Sequence, residues 1–204
     1  MSQLAQHSRS MTTAILAGGA ATRLGGVDKG LVALHGRPLI AWVVESRQGG
    51  SESPCLVVAN RNLESYSRYA PTITDQSPVD FKGPLAGIVA ALLACETDWL
   101  FTVPVDCLRI PRGLGVDLIE HALANDASAA VAHDGERRQP LFAVYRRGLA
   151  ESAKSALDDG NGVSRWQDRI GALELVCPDP GLDWFNLNTA EDFAAMTEDV
   201  RNRE

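Results

Sequence analysis

The chain has 204 residues, of which 45% are hydrophobic and 22% charged, and it carries a formal net charge of −7. That length and mix suit one ordinary globular domain with a full core, or one domain with a small appendage, and suggest neither a disordered nor a fibrous chain. The acidic balance argues against a general nucleic-acid binder, which needs a broad basic face, yet it leaves room for a phosphorylated small molecule held by a few local cations.

No run approaches the roughly 18 apolar residues that span a bilayer. The opening MSQLAQHSRS lacks an apolar signal core, so a cytoplasmic protein is expected, with a loose tail over residues 1–11 and a single domain over 12–199. Cys55, Cys95, Cys107 and Cys177 are far apart, with no CxxC or Cys/His pairing. They read as reduced core thiols and not as a zinc site.

Along the chain, short apolar runs alternate with amphipathic stretches, the pattern of a parallel sheet with crossover helices. Strands are predicted at Thr12–Leu16, Cys55–Ala59, Thr72–Thr74, Trp99–Val103, Ala129–Ala132, Leu141–Tyr145 and Leu173–Val176. Helices are predicted at Leu39–Arg47, Leu63–Tyr69, Leu85–Cys95, Val116–Asn125, Leu149–Leu157 and Ala190–Met196. Pro38 and Pro84 stand where a first-turn proline is tolerated, and Asp134-Gly135 is a turn signal between strands. The expected fold is a three-layer α/β/α sandwich around a mostly parallel, Rossmann-like sheet. In such sheets ligands sit beyond the carboxyl ends of the strands.

The residues after the first strand carry the most chemistry. Gly18, Gly19, Gly25 and Gly26 lie with Arg23 and Lys29 in one loop. Glycines let backbone N–H groups approach a polyphosphate, and the cations neutralise it. The loop is neither a GxGxxG nor a P-loop. A set of tight turns is the structural alternative. After the strand at Trp99 comes Asp106, a carboxylate suited to share Mg²⁺ with phosphates; a loop or capping aspartate is the alternative. Without metal that carboxylate is expected to be unpaired. Cys107 beside it reads as an inert thiol.

The stretch LAGGxxxRLGGVDKGL, from Leu16 to Leu31, resembles the signature of the molybdenum cofactor guanylyltransferases, a family of Mg²⁺-dependent nucleotidyltransferases. Further ordered motifs extend the resemblance from Thr12 to about Glu198. It implies transfer of GMP from GTP to the terminal phosphate of molybdopterin, with pyrophosphate released. It also implies a nucleotide-binding half over about 12–106 and a pterin-binding half over about 107–199.

Carried over by position, Leu16, Ala17 and Gly18 would hold the guanine and ribose end through backbone groups. Gly19 and Arg23 would line the triphosphate, and Lys29 would offset charge that builds during transfer. Asp106 would bind the metal, and Asp75 and Asn60 would serve the nucleotide. Gly83-Pro84-Leu85-Ala86-Gly87 resembles the family's GPLAG element, again on the nucleotide side.

His133-Asp134-Gly135-Glu136-Arg137-Arg138 resembles a run that faces the pterin, which makes Arg137 and Arg138 candidates for its phosphate. Asn186 and Asn188 fall in a closing NxNT element and alternate onto one face of a short strand. Molybdenum-insertion and molybdoenzyme maturation proteins are the partners the resemblance implies. Two other readings stay open on the residues alone: a relative using CTP or another phosphorylated acceptor, and a cofactor carrier without turnover.

Overall fold

The computed structural model describes residues 10–17, 28–46, 54–75, 83–107 and 110–177. Gly18, Gly19, Arg23, Asn186 and Asn188, and the helix predicted at Ala190–Met196, lie outside the described residues.

Strand β1 (Met11–Leu16) leads toward a 3₁₀ turn at Lys29–Leu31 and a small hairpin of β2 (Ala33–Leu34) and β3 (Arg37–Pro38). Helix α1 (Leu39–Ser46), β4 (Cys55–Val58), the single-turn α2 (Leu63–Tyr66) and β5 (Thr72–Ile73) follow. Helix α3 (Pro84–Ala94) then leads into β6 (Trp99–Pro104), and α4 (Leu114–Ala124) into β7 (Ala129–His133). Strand β8 (Arg138–Arg146), α5 (Ala150–Asp158), α6 (Val163–Arg169) and β9 (Leu173–Val176) complete the order.

Seven strands form one sheet in the order β5-β4-β1-β6-β8-β7-β9. Its pairs are parallel except those of β8, which runs antiparallel to β6 and β7. β1 and β6 read as nearly continuous apolar runs because both of their faces are covered. Alternate side chains supply two cores. Ile15, Val57, Phe101 and Val144 pack with α1 and α4 on one face. Ala14, Leu56, Leu100, Ala143 and Tyr145 pack with α3, α5 and α6 on the other. That is the expected three-layer sandwich. Burying side chains such as Ile15, Phe101 and Leu39, each 0% exposed, contributes about 1.5–3 kcal/mol apiece.

Three features depart from the predicted elements. β8 begins at Arg138 and not at Leu141, because a register shift at Val131/Ala132 lets Ala132 and His133 pair with Gln139 and Arg138. α6 has no predicted counterpart. The β2–β3 hairpin is also new, and its turn residues His35 and Gly36 both have positive φ, 51° and 75°, as a two-residue type I′ turn demands. Pro38 accordingly ends β3 and does not open α1.

Candidate active site

The parallel strands end at one level. The Ala17 N–H donates to the Val58 carbonyl at 2.9 Å, Ala59 N–H to Ile73 at 3.0 Å, and Val105 N–H to Leu16 at 3.1 Å. Chain order reverses around β1, because β4 lies on one side and β6, reached through α3 on the opposite face, on the other. This is the switch-point crevice where open α/β sheets bind ligands. Asn60, Asp75 and Asp106 follow β4, β5 and β6 onto this edge.

Lys29 and Asp106 meet directly. The Lys29 Nζ donates to Asp106 Oδ2 at 2.8 Å, with the two side chains 24% and 18% exposed. The expectation that Asp106 stands unpaired without metal is therefore corrected: the ammonium satisfies one carboxylate oxygen. The other has no hydrogen-bond partner among the described residues. No group of three or more metal-ligating side chains occurs among them either. One half-buried carboxylate with a spare oxygen fits a hard cation that takes its other ligands from phosphates and water, and does not fit an all-protein cage.

Asn60 and Asp75 are also brought together. The Asn60 Nδ2 donates to Asp75 Oδ2 at 2.8 Å, and the Asp75 N–H donates to Asn60 Oδ1 at 3.2 Å. This reciprocal pair ties the ends of β4 and β5 and leaves both side chains on the edge. Leu16 and Ala17 sit at the end of β1, where the Leu16 carbonyl and Ala17 N–H are engaged in the cross-strand bonds above. Of these two groups, only the second lone pair of the Leu16 carbonyl is left for a further hydrogen bond.

Gly83, with φ +73° and open space where a Cβ would stand, turns the chain into the α3 N-terminus, where Pro84 takes the first helical position. Gly87 is buried, its absent Cβ 3.4 Å from Leu16 Cδ2 and 3.5 Å from Val58 Cγ1. It packs α3 onto the sheet beneath the edge. Cys107 is buried at 0% exposure, in keeping with an inert thiol.

The β7–β8 turn lies on the same edge, since β7 runs parallel to β6 through the intervening β8. Asp134 Oδ1 accepts the N–H groups of Glu136 and Arg137, both at 2.8 Å, and its Oδ2 accepts from Gln139. These donors, the Arg137 N–H foremost, hold the Asp134 carboxyl below its ordinary pKa. His133 Nδ1 accepts the Gly135 N–H at 3.0 Å, so its Nε2 carries the proton in the neutral ring.

Arg137 and Arg138 differ. Arg137 is 80% exposed, with a loose 3.8 Å approach to Asp134. Arg138 is 23% exposed and bridges Asp168 of α6 at 2.5 Å and Glu174 of β9 at 2.7 Å. Partial burial opposes the Arg138 charge, but those carboxylates outweigh it and raise its pKa.

Three residues to which the sequence reading gave no role, Asp28, Asn62 and Tyr66, meet beside the Lys29 turn. Asp28 accepts from the Tyr66 hydroxyl through Oδ1 and from Asn62 Nδ2 at 2.9 Å through Oδ2. The only local signal was the Asp-Lys-Gly string itself; its partners lie 34 and 38 residues away in sequence.

A glycine-loop strand, a switch-point crevice and a paired lysine and aspartate on the carboxyl edge define a nucleotide-handling α/β domain of the nucleotidyltransferase kind. Residues 13–173 match the MobA-like NTP transferase domain, and the chain belongs to that family. It is 42% identical over 185 residues to the molybdenum cofactor guanylyltransferase of Vibrio vulnificus (strain YJ016), covering 87% of this chain and 90% of that protein. It is 35% identical to the protein of the same name from Shewanella sp. (strain MR-4), covering 95% and 98%. The fold is shared with molybdopterin-guanine dinucleotide biosynthesis protein A from Archaeoglobus fulgidus at a TM-score of 0.78 and 24% identity, over 95% of this chain and 100% of that one.

Proposed function

We propose that this protein transfers GMP from GTP to the terminal phosphate of molybdopterin and releases pyrophosphate. The observation that carries the reading is the pair formed by Lys29, on its 3₁₀ turn, and Asp106, just after β6, in a chain similar along most of its length to molybdenum cofactor guanylyltransferases. A phosphate oxygen of the acceptor attacks the α-phosphorus of GTP in line as the bond to pyrophosphate breaks. The acceptor phosphate is already ionised near neutral pH, so no strong general base is required.

The residues' work is then positioning and charge neutralisation. Lys29 exchanges its carboxylate partner for phosphate oxygens and neutralises charge that builds on them. Arg23 is proposed to line the triphosphate with Gly19. Asp106 would hold the divalent cation, Mg²⁺, which would supply charge neutralisation at the phosphates. Asn60, Asp75 and the Leu16–Gly18 segment serve the nucleotide, with Gly83 and Gly87 setting the α3 N-terminus beside them. The pterin is assigned to the β7–β8 turn, chiefly Arg137, together with Asn186 and Asn188.

The protein is proposed to work in the cytoplasm, with molybdenum-insertion and molybdoenzyme maturation proteins as its partners. Among the described residues no helix is long and apolar enough to cross a membrane. The deciding experiment is mass spectrometry of the product formed with Mg²⁺, molybdopterin and either GTP or CTP. A guanine dinucleotide and pyrophosphate from GTP are expected. A cytosine product in equal yield, or no turnover with either nucleotide, would overturn the reading.

A further inference from the structure

Lys29 stands on a 3₁₀ turn of three residues, too short to hold a direction by its own hydrogen bonds. Asp28 precedes that turn with extended backbone, and its side chain makes no cap to it. Its carboxylate is taken up instead by the segment after β4, one oxygen by Tyr66 and the other by Asn62. Asn62 sits at φ 52°, a left-handed conformation that asparagine tolerates better than most residues and that here accompanies an amide bonded to Asp28. Tyr66 is 0% exposed. Burial, and then its bond to Asp28, push the phenol far above its ordinary pKa, so it is a protonated donor at neutral pH.

Gly30, on the other side of Lys29, completes the fit. A Cβ there would lie 2.4 Å from the Tyr66 hydroxyl oxygen and 2.8 Å from Val105 Cγ2, distances that real Cβ atoms do not occupy. The backbone of the turn is thus seated between Tyr66 and Val105, the residue before Asp106. Lys29 is fixed through both of its neighbours, while its own ammonium meets Asp106.

We propose that Tyr66 and Asn62 are positioning residues for nucleotidyl transfer: through Asp28 they fix the backbone from which Lys29 reaches the phosphates. This rests on the reading that Lys29 serves the transfer. It also joins the two sides of the nucleotide subsite, because Asn62 and Tyr66 lie in the segment that Asn60 opens, Asn62 just before α2 and Tyr66 at its end. Loss of the lock leaves the nucleotide free to bind but lets the ammonium wander, and a displacement of about 1 Å costs up to about 10²-fold in rate.

The test uses the full chain with Tyr66→Phe, which keeps the buried ring and removes only the hydroxyl. Asn62→Gly, at an exposed site where glycine accepts the positive φ, serves as the second variant should the first fold poorly. Turnover is followed by pyrophosphate release, and kcat is expected to fall about 10–100-fold in Tyr66→Phe while KM for GTP changes less than about threefold. A merely structural role would lower the folded fraction and leave kcat per folded molecule intact.

A second readout needs no activity. The chain has three lysines, Lys29, Lys82 and Lys154, so ¹³C-dimethylated lysines, which keep their charge, give few NMR signals. The Lys29 signal is expected to move toward that of exposed Lys154 in either variant. Full kcat in a folded variant, or an unmoved Lys29 signal, overturns the proposal. Full turnover in Lys29→Ala would overturn the catalytic reading beneath it. That result is told apart from failure of the lock by whether the Lys29 signal still moves in Tyr66→Phe.

Discussion

At the residue scale, the 2.8 Å pair of Lys29 and Asp106 makes each substitution a change to both residues. Lys29→Ala leaves a half-buried carboxylate without its cation, a stability loss of under about 1 kcal/mol for a pair that water still reaches. Its turnover is expected to fall about 10²–10⁴-fold, the scale of losing a major charge-stabilising group. Asp106→Asn keeps the size and an acceptor for the ammonium but removes the charge that recruits metal. Its transfer rate should collapse likewise, and excess Mg²⁺ should restore part of it. The double variant should lose less than the product of the two single losses, because groups that act as a unit are not additive. Wild-type turnover in Asp106→Asn across a Mg²⁺ titration would move the metal elsewhere, with Asp75 the next candidate.

At the scale of elements, the β7–β8 turn separates two arginines that the sequence presents as equivalent neighbours. Arg138 pins β8 to α6 and β9, so Arg138→Ala is expected to cost about 1 kcal/mol and lower Tm by roughly 2–4 °C in a chain of this size. Arg137→Ala should leave stability within about 0.5 kcal/mol while raising the pterin requirement and sparing GTP affinity. Steady-state kinetics with each substrate varied decide this, and weaker GTP with unchanged pterin would move the turn to the nucleotide side.

The turn also has a pH signature. Asp134 is held below its ordinary pKa, so its contribution is complete above the unfolded value of about 3.9 and is lost as pH falls through the lower folded one. The amide shifts of Glu136 and Arg137 should therefore hold steady at mildly acidic pH and move only below that range.

What could be read in advance follows from how far each signal extends. Strands buried on both faces announce themselves as apolar runs, as Trp99–Pro104 does, with every residue buried. Helix α6 offers no such pattern, because its buried residues are Val163, Trp166 and the polar Gln167, whose amide donates to Pro140 and Tyr145. Lys29 and Asp106 are legible as candidates because a lysine closes a glycine-rich run and a carboxylate follows an apolar strand, but their 2.8 Å pairing with each other is not. Asp28, Asn62 and Tyr66 are not, since a tyrosine at helical spacing looks like core until the fold brings a carboxylate to its hydroxyl.

At the scale of the whole molecule, one sheet carries both halves of the proposed cleft. On the proposed reading β5, β4, β1 and β6 would bear the nucleotide side and β8, β7 and β9, the other strands of the same sheet, the pterin side. β6 and β8 are paired from Trp99–Arg146 to Thr102–Ala143, and each face has one shared core spanning that seam. A ligand bound at the β1–β6 edge should therefore stabilise the sheet as a unit.

With Mg²⁺ and GTP at about 100 times its Kd, linkage adds about 2.7 kcal/mol, which for 150–250 residues corresponds to a Tm rise of about 5–10 °C. CTP at equal concentration should give a much smaller rise, because the base is proposed to be selected by backbone groups at Leu16–Gly18. Hydrogen exchange provides the spatial check: amides of β7 and β9 should slow in step with those of β4 when GTP binds. Equal Tm shifts for GTP and CTP would favour another nucleotide substrate. Slowing confined to β1, β4 and β6 would show that the β6–β8 seam divides the sheet into halves that open separately.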